Sequence, residues 1–273
     1  MKKSIALWKW ILLFLLAVIL GFIGLVLLKG LRFHPVLIML CPVVLLALYA
    51  GGVRLLEGEP AKDLAFRRMV PDVAGGWLVG ALLMSAAVGI IAACGCMRFV
   101  PGDFTWIRQM GAFCACMNTA VGEEMLFRGV LYRWLDERWG VVPALIVSSL
   151  LFGLIHLGNA NATVWSSVAI AIEAGLLLGA AYKWSGTLWF PIGIHWTWNF
   201  VQGKVFGISV SGGGVNHSFW KAETSGPEII TGGAFGVEAS IVMVILGVAL
   251  SAIFLYLHYR KKQNIESYES STN

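Results

Sequence analysis

The stretch Val73–Met97, VAGGWLVGALLMSAAVGIIAACGCM, runs for 25 residues without a charge. A helix needs about 20 apolar residues to cross some 30 Å of hydrocarbon. This one exceeds that, so it reads as a membrane span and sets the class of the whole chain. Working outward, Ile11–Leu28, Pro35–Val53 and Ala239–His258 are equally clean. Four further segments are apolar but interrupted. Gly111–Trp134 carries Glu123, Glu124, Arg128 and Arg133; Val141–Leu157 ends at the polar break Gly158–Asn161; Thr163–Tyr182 carries Glu173; Thr187–Gly203 carries Pro191, His195 and Asn199. The expectation is an all-α polytopic membrane bundle of about eight transmembrane helices.

Composition agrees. Only 13% of residues are charged and 58% are apolar, with a mean hydropathy of +0.79, whereas soluble domains carry about 25% charged residues. The net charge of +5 would permit a nucleic-acid partner, but the charges lie between apolar runs and near the termini, with no basic stripe and no interleaved aromatics. That distribution orients a membrane protein. Eight spans with the N-terminus inside place thirteen Lys and Arg on the inner side and six outside. Both termini are therefore expected in the cytoplasm of a multi-pass cell-membrane protein, and the short loops fit a bacterial one.

Three parts are expected. Residues 1–108 hold the first three spans and a charged cytoplasmic segment, Gly58–Asp72, read as amphipathic and lying at the membrane surface. Residues 109–203 hold four spans with polar interiors. Residues 204–273 hold a Gly-rich outer loop, read as disordered or as a lid, then the last span and a tail. The pairs Cys94/Cys96 and Cys114/Cys116 face the outer side. They read as small packing residues, with a disulfide as the alternative.

Ionisable residues inside a membrane are costly unless paired, and so point to function. Glu123 lies about 15 residues before the turn at Glu137–Trp139 and His156 about 18 after it, roughly 20–27 Å of helix path each way at about 1.5 Å per residue. Glu173 and His195 lie at similar depth either side of the turn at Ser185-Gly186. The layers coincide. Glu124 and Arg128 are spaced i,i+4 and can pair, and Glu123, about 100° away around the helix, can face another neighbour. Phe152 with His156, and His195 with Asn199, share the same spacing.

Glu123-Glu124-x-x-x-Arg128, Phe152-x-x-x-His156 and His195-x-x-x-Asn199 resemble, in order, the three motifs of the CPBP family, which includes type II CAAX prenyl endopeptidases and bacteriocin-processing and immunity proteins. The stretch Glu173-Ala174-Gly175-x-x-x-Gly179 and the run Ser185–Ile192 are similar to the family's lead-in to the third motif. The resemblance covers about residues 110–202. It implies an intramembrane endopeptidase with Glu123 as catalytic carboxylate, His156 holding the attacking water, and His195 and Asn199 stabilising the oxyanion. Glu124, Arg128, Phe152 and Glu173 would support them, with Glu173 pairing with Arg128 or capping a polar cavity. No cofactor is expected. The alternative is zinc on Glu123, His156 and His195, a set that catalytic zinc accepts. The expected substrate is a membrane-associated peptide or protein, with a peptide leader the first choice. A non-catalytic bacteriocin-binding or immunity protein, or a transporter, is the rival reading, although no repeat symmetry of the transporter kind is visible.

Overall fold

The computed structural model describes residues 35–272 throughout and, ahead of them, Trp8, Lys9, Ile11–Leu13, Leu15, Leu16, Val18, Ile19 and Ile23, all helical. The rest of the expected first span lies outside the described residues. The remaining long elements are helical. They are α1 (Pro35–Glu57), α2 (Phe66–Ala93), α3 (Trp106–Glu124, continuing as a π-helix over Met125–Tyr132 and an α-helix over Arg133–Trp139) and α4 (Val141–Ile155, with a 3₁₀ turn His156–Gly158). After them come α5 (Val164–Ile170, a π-helix Ala171–Leu176, then Leu177–Ser185) and α6 (Trp189–Phe200, with a π-helix Val201–Val205). A one-turn helix α7 (Glu228–Thr231) and the long α8 (Ile241–Thr272) close the chain.

Among the described residues, five helical segments are long and apolar enough to cross a bilayer: Met39–Glu57, Phe66–Ala93, Val141–Gly158, Val164–Ser185 and Ile241–Tyr268. The helices carrying the first and third motifs, α3 and α6, run through the same bundle. A polytopic helical bundle, with one short two-stranded sheet beside it, is thus the fold.

Local chemistry explains the breaks. Gly140 (φ 86°) separates α3 from α4 and Gly186 (φ 72°) ends α5; at both positions a side chain would strain the backbone. Thr163 starts α5 with a capping box: its Oγ1 accepts from the Ser166 N–H at 3.0 Å, while the Ser166 Oγ accepts from the Thr163 N–H at 2.8 Å.

Two expectations change. The charged segment before α2 is not one separate piece: α2 begins at Phe66, so Arg67, Arg68 and Asp72 form its first turns. Pro71 lies inside the helix, one residue past its first turn, where it leaves the Arg67 carbonyl without the usual i+4 donor, and Arg68 grips Asp72 one turn on at 2.9 Å. Ahead of α2, the 3₁₀ turn Lys62–Leu64 sends Asp63 inward to accept from the Tyr49 hydroxyl at 2.7 Å. Burial drives the Asp63 carboxyl above its usual range, partly offset by that hydrogen bond. The second concerns the Gly-rich segment after residue 203, whose two readings were disorder and a lid: it is not disordered. It is built structure, with strand β2 (Trp220–Thr224) pairing antiparallel with β1 (Met97–Pro101), Met97 opposite Thr224 and Pro101 opposite Trp220.

The core sits where α2, α5, α6 and α8 meet. On α2, Gly76 and Gly80 let the α6 backbone approach; a Cβ on Gly193 of α6 would lie 3.2 Å from the Gly76 Cα. Small residues at such crossings are the membrane's substitute for a hydrophobic driving force. Gly247 of α8 does the same against α5, at Glu173, whose Cα a Cβ there would reach at 2.8 Å. The four motif helices therefore have α2 on one side and α8 on the other.

Candidate active site

The site begins with a fully buried ion pair. Arg128 is 1% exposed and Glu124 0%, and Arg128 Nη1 donates to Glu124 Oε1 at 2.9 Å. The second guanidinium nitrogen donates to the carbonyls of Gly175 (3.0 Å) and Ala174 (3.3 Å) on α5. Those carbonyls lie in the π-helical turn Ala171–Leu176, and π turns interrupt the regular ladder at functional sites in particular. The guanidinium also stacks 4.6 Å from the Phe152 ring centroid, which ties α4 into the same cluster. Arg128 thus reaches the backbone beside Glu173, not its carboxylate. That expected pairing is not formed: the Glu173 oxygens are buried without a hydrogen-bond partner.

The Glu124 carboxylate has a second task. His195 Nδ1 lies 2.9 Å from the same Oε1, so Nδ1–H donates to it and the ring is fixed in orientation. Its other nitrogen, Nε2, is turned toward Glu123 Oε2 at 3.9 Å. That is beyond a direct hydrogen bond and within the span that one bridging water covers. Glu123 is the less buried of the two acids, with 28% of its side chain exposed, and the oxygen facing His195 has no protein partner. The rotation of about 100° between Glu123 and Glu124 gives one acid to the ion pair and leaves the other free.

His156 ends α4. Its Nδ1 lies 2.7 Å from the Phe152 carbonyl; a carbonyl only accepts, so Nδ1 carries a proton and donates it. The Phe152 ring packs against both imidazoles, 4.8 Å from His156 and 6.2 Å from His195 between centroids. His156, His195 and Asn199 wall a cavity of about 20 Å³, closed on the apolar side by Phe152, Ile170, Ala174, Leu178 and Trp198. It is large enough for one water, which needs about 10–15 Å³. Glu123 is not among its walls.

Two further walls of that cavity, Ser211 and Glu238, come from the outer segment and were missed by sequence reasoning. The available signal was weak: Glu238 is an acid three residues ahead of a long apolar run. Gln202, one turn past Trp198, is also fully buried, accepting from Trp198 Nε1 at 3.2 Å and donating to the Ser209 carbonyl at 2.5 Å.

A groove of about 860 Å³ opens between α1, α2, α3 and α6, lined throughout by apolar and aromatic side chains that include Trp77, Phe113, Val121, Trp189 and Trp196. Val121 and Trp196, on the helices that carry Glu123 and His195, are among its walls, while Glu123 and His195 themselves are not. Trp196 is pinned by a hydrogen bond from its Nε1 to the Phe113 carbonyl at 2.9 Å. The five cysteines are free thiols. Among the described residues, no three His, Cys, Asp or Glu side chains converge as a metal-ligand set.

A membrane bundle with a buried carboxylate–guanidinium–imidazole cluster at its centre is the class these features define. Within it, residues 105–201 match the family model described as type II CAAX prenyl endopeptidase Rce1-like. The match supports membership of the CPBP family and covers all three motifs. No curated protein matches the chain, and no solved structure does.

Proposed function

We propose that this chain is an intramembrane endopeptidase that hydrolyses a peptide bond in a membrane-associated peptide or protein with a glutamate-activated water. The observation that carries the reading is the Glu124–His195–Glu123 relay, in which a buried carboxylate fixes one face of an imidazole and a free carboxylate stands 3.9 Å from the other. Glu123 takes a proton from a water in that gap, and the hydroxide attacks the scissile carbonyl carbon. Glu124, on Nδ1, stabilises the imidazolium form of His195, whose Nε2–H then donates to the oxyanion; the Asn199 amide is the second donor. Glu123 returns the proton to the leaving amine as the C–N bond breaks. His156, neutral in this reading, accepts a hydrogen bond from water at Nε2 on the cavity side.

The apolar groove supports a substrate segment that is itself lipid-like, such as a prenylated C-terminus or an apolar peptide leader. Both termini face the cytoplasm in this reading, and the bilayer is the solvent of the reaction. Two tests decide it. The purified chain in liposomes is given a farnesylated C-terminal peptide and a set of apolar leader peptides, and new termini are sought by mass spectrometry. Cleavage of at least one probe is expected; binding without cleavage would favour the immunity-protein reading instead.

The second test concerns the chemistry. Alanine at His195 or at Asn199 is expected to lower kcat by about 10²–10³ with little change in KM, the usual cost of losing one oxyanion donor. A rise in KM alone would rule out that role. The reaction proposed here runs without metal, so turnover should persist in EDTA or phenanthroline. Loss on chelation, restored by zinc, would transfer the mechanism to zinc held by Glu123, His156 and His195.

A further inference from the structure

The Gly-rich segment after residue 203, read from the sequence as disordered or as a lid, is hydrogen-bonded to both histidine-bearing helices. Asn159, three residues past His156, donates from Nδ2 to the Ser211 carbonyl at 3.0 Å, and Asn161 donates to the Gly212 carbonyl at 3.3 Å. From α6, Gln202 holds the Ser209 carbonyl at 2.5 Å. The Gly212 N–H donates to the Phe235 carbonyl at 2.8 Å, and Trp165 of α5 donates from Nε1 to the Ala239 carbonyl at 2.7 Å. Two glycines make this packing possible. Gly212 (φ 80°) and Gly236 (φ 119°) occupy the left-handed region, where a Cβ would also run into the carbonyls of Ala160 and Ser209 respectively.

At the centre of these ties lies one carboxylate. Glu238 is 4% exposed. Its Oε2 accepts from the Ser211 backbone N–H at 2.5 Å and its Oε1 from the Ser211 hydroxyl at 3.2 Å. Both residues wall the cavity shared by His156, His195 and Asn199. A buried acid costs several kcal/mol unless its surroundings are arranged for it, and here they are arranged around the imidazole cavity. No step proposed above uses it.

We infer that Glu238 is a further positioning residue of the site: clasping Ser211, it closes the outer wall of the cavity and sets a carboxylate opposite His156. The site is then completed from outside the three motifs, and its outer side is shut only while the segment is folded down. The catalytic half of this inference rests on the endopeptidase reading; the closing half does not.

The test separates the two. Full-length protein in liposomes is treated with diethyl pyrocarbonate, and labelling of His156 and His195 is followed by mass spectrometry, with the half-buried His258 of α8, outside the segment, as the internal reference. Glu238→Ala should raise the labelling rate at His156 by roughly tenfold or more, since opening exposes a buried imidazole. Glu238→Gln should not, because its amide can accept from the Ser211 N–H and donate to its hydroxyl. The same Gln variant should nevertheless lose roughly tenfold in kcat on whichever peptide probe the wild type cleaves, with KM within about twofold, the pattern of an interaction that acts on the chemical step. His156 labelled in Glu238→Ala at the wild-type rate would overturn the closing role. Wild-type kcat in Glu238→Gln would overturn the catalytic one. If the wild type cleaves no probe, the endopeptidase reading fails while the labelling contrast still decides the wall.

Discussion

Glu123→Gln is expected to abolish cleavage while leaving the fold as it is. Glutamine keeps the shape of the side chain but has no lone pair basic enough to take a proton from water. General-base catalysis contributes about 10²–10⁴ in rate, so turnover should fall by at least that much. The structural side follows from where Glu123 sits. Its side chain is 28% exposed, and the oxygen aimed at His195 has no protein partner to lose. The unfolding midpoint in detergent should therefore match the wild type. Glu124→Gln is the instructive contrast. Glu124 is 0% exposed and holds both Arg128 and His195, so neutralising it should cost stability and activity together. Wild-type turnover in Glu123→Gln would remove this residue as the base.

The sequence carried the fold class and the meeting of the motif side chains through different signals. Charge-free runs such as Val73–Met97 fix a span by length alone, because the bilayer has a set thickness. The i,i+4 spacing of Glu124 and Arg128 and the 100° offset of Glu123 follow from helix geometry, and the structure places the first two in one ion pair and the third apart from it. The three π-helical turns, Met125–Tyr132, Ala171–Leu176 and Val201–Val205, could not be read in this way. A π turn depends on competition for carbonyls, and here Arg128, from another helix, takes those of Ala174 and Gly175. Distance in sequence hid the outer wall as well. Met97–Pro101 and Trp220–Thr224 pair across more than a hundred residues, and a Gly-rich stretch reads as a loop until its partners are known. The start of α2 at Phe66 was obscured because Arg67, Arg68 and Asp72 look like a surface segment, although their charges partly cancel within one turn.

Arg128→Ala should produce the largest loss of stability of any single change in the bundle. The side chain is 1% exposed and makes an ion pair at 2.9 Å, two hydrogen bonds to α5 carbonyls and a stacking contact with Phe152. It thereby joins α3, α4 and α5 at one point. Its removal leaves Glu124 charged and buried, with His195 as its remaining partner. Breaking a buried pair from one side typically costs about 3–5 kcal/mol, because the surviving charge is uncompensated. Arg128→Lys keeps the charge but not the planar fork that serves Glu124 and the two carbonyls together, so it should fall between alanine and wild type. The double change Glu124→Gln/Arg128→Met removes both charges and should lose less stability than Arg128→Ala alone, since no unpaired ion remains. Unfolding in mixed micelles of rising SDS fraction measures all four proteins on one scale. An Arg128→Ala protein within about 1 kcal/mol of wild type would mean that the pair is solvated in the bilayer, and the buried relay from Arg128 through Glu124 to His195 would have to be abandoned.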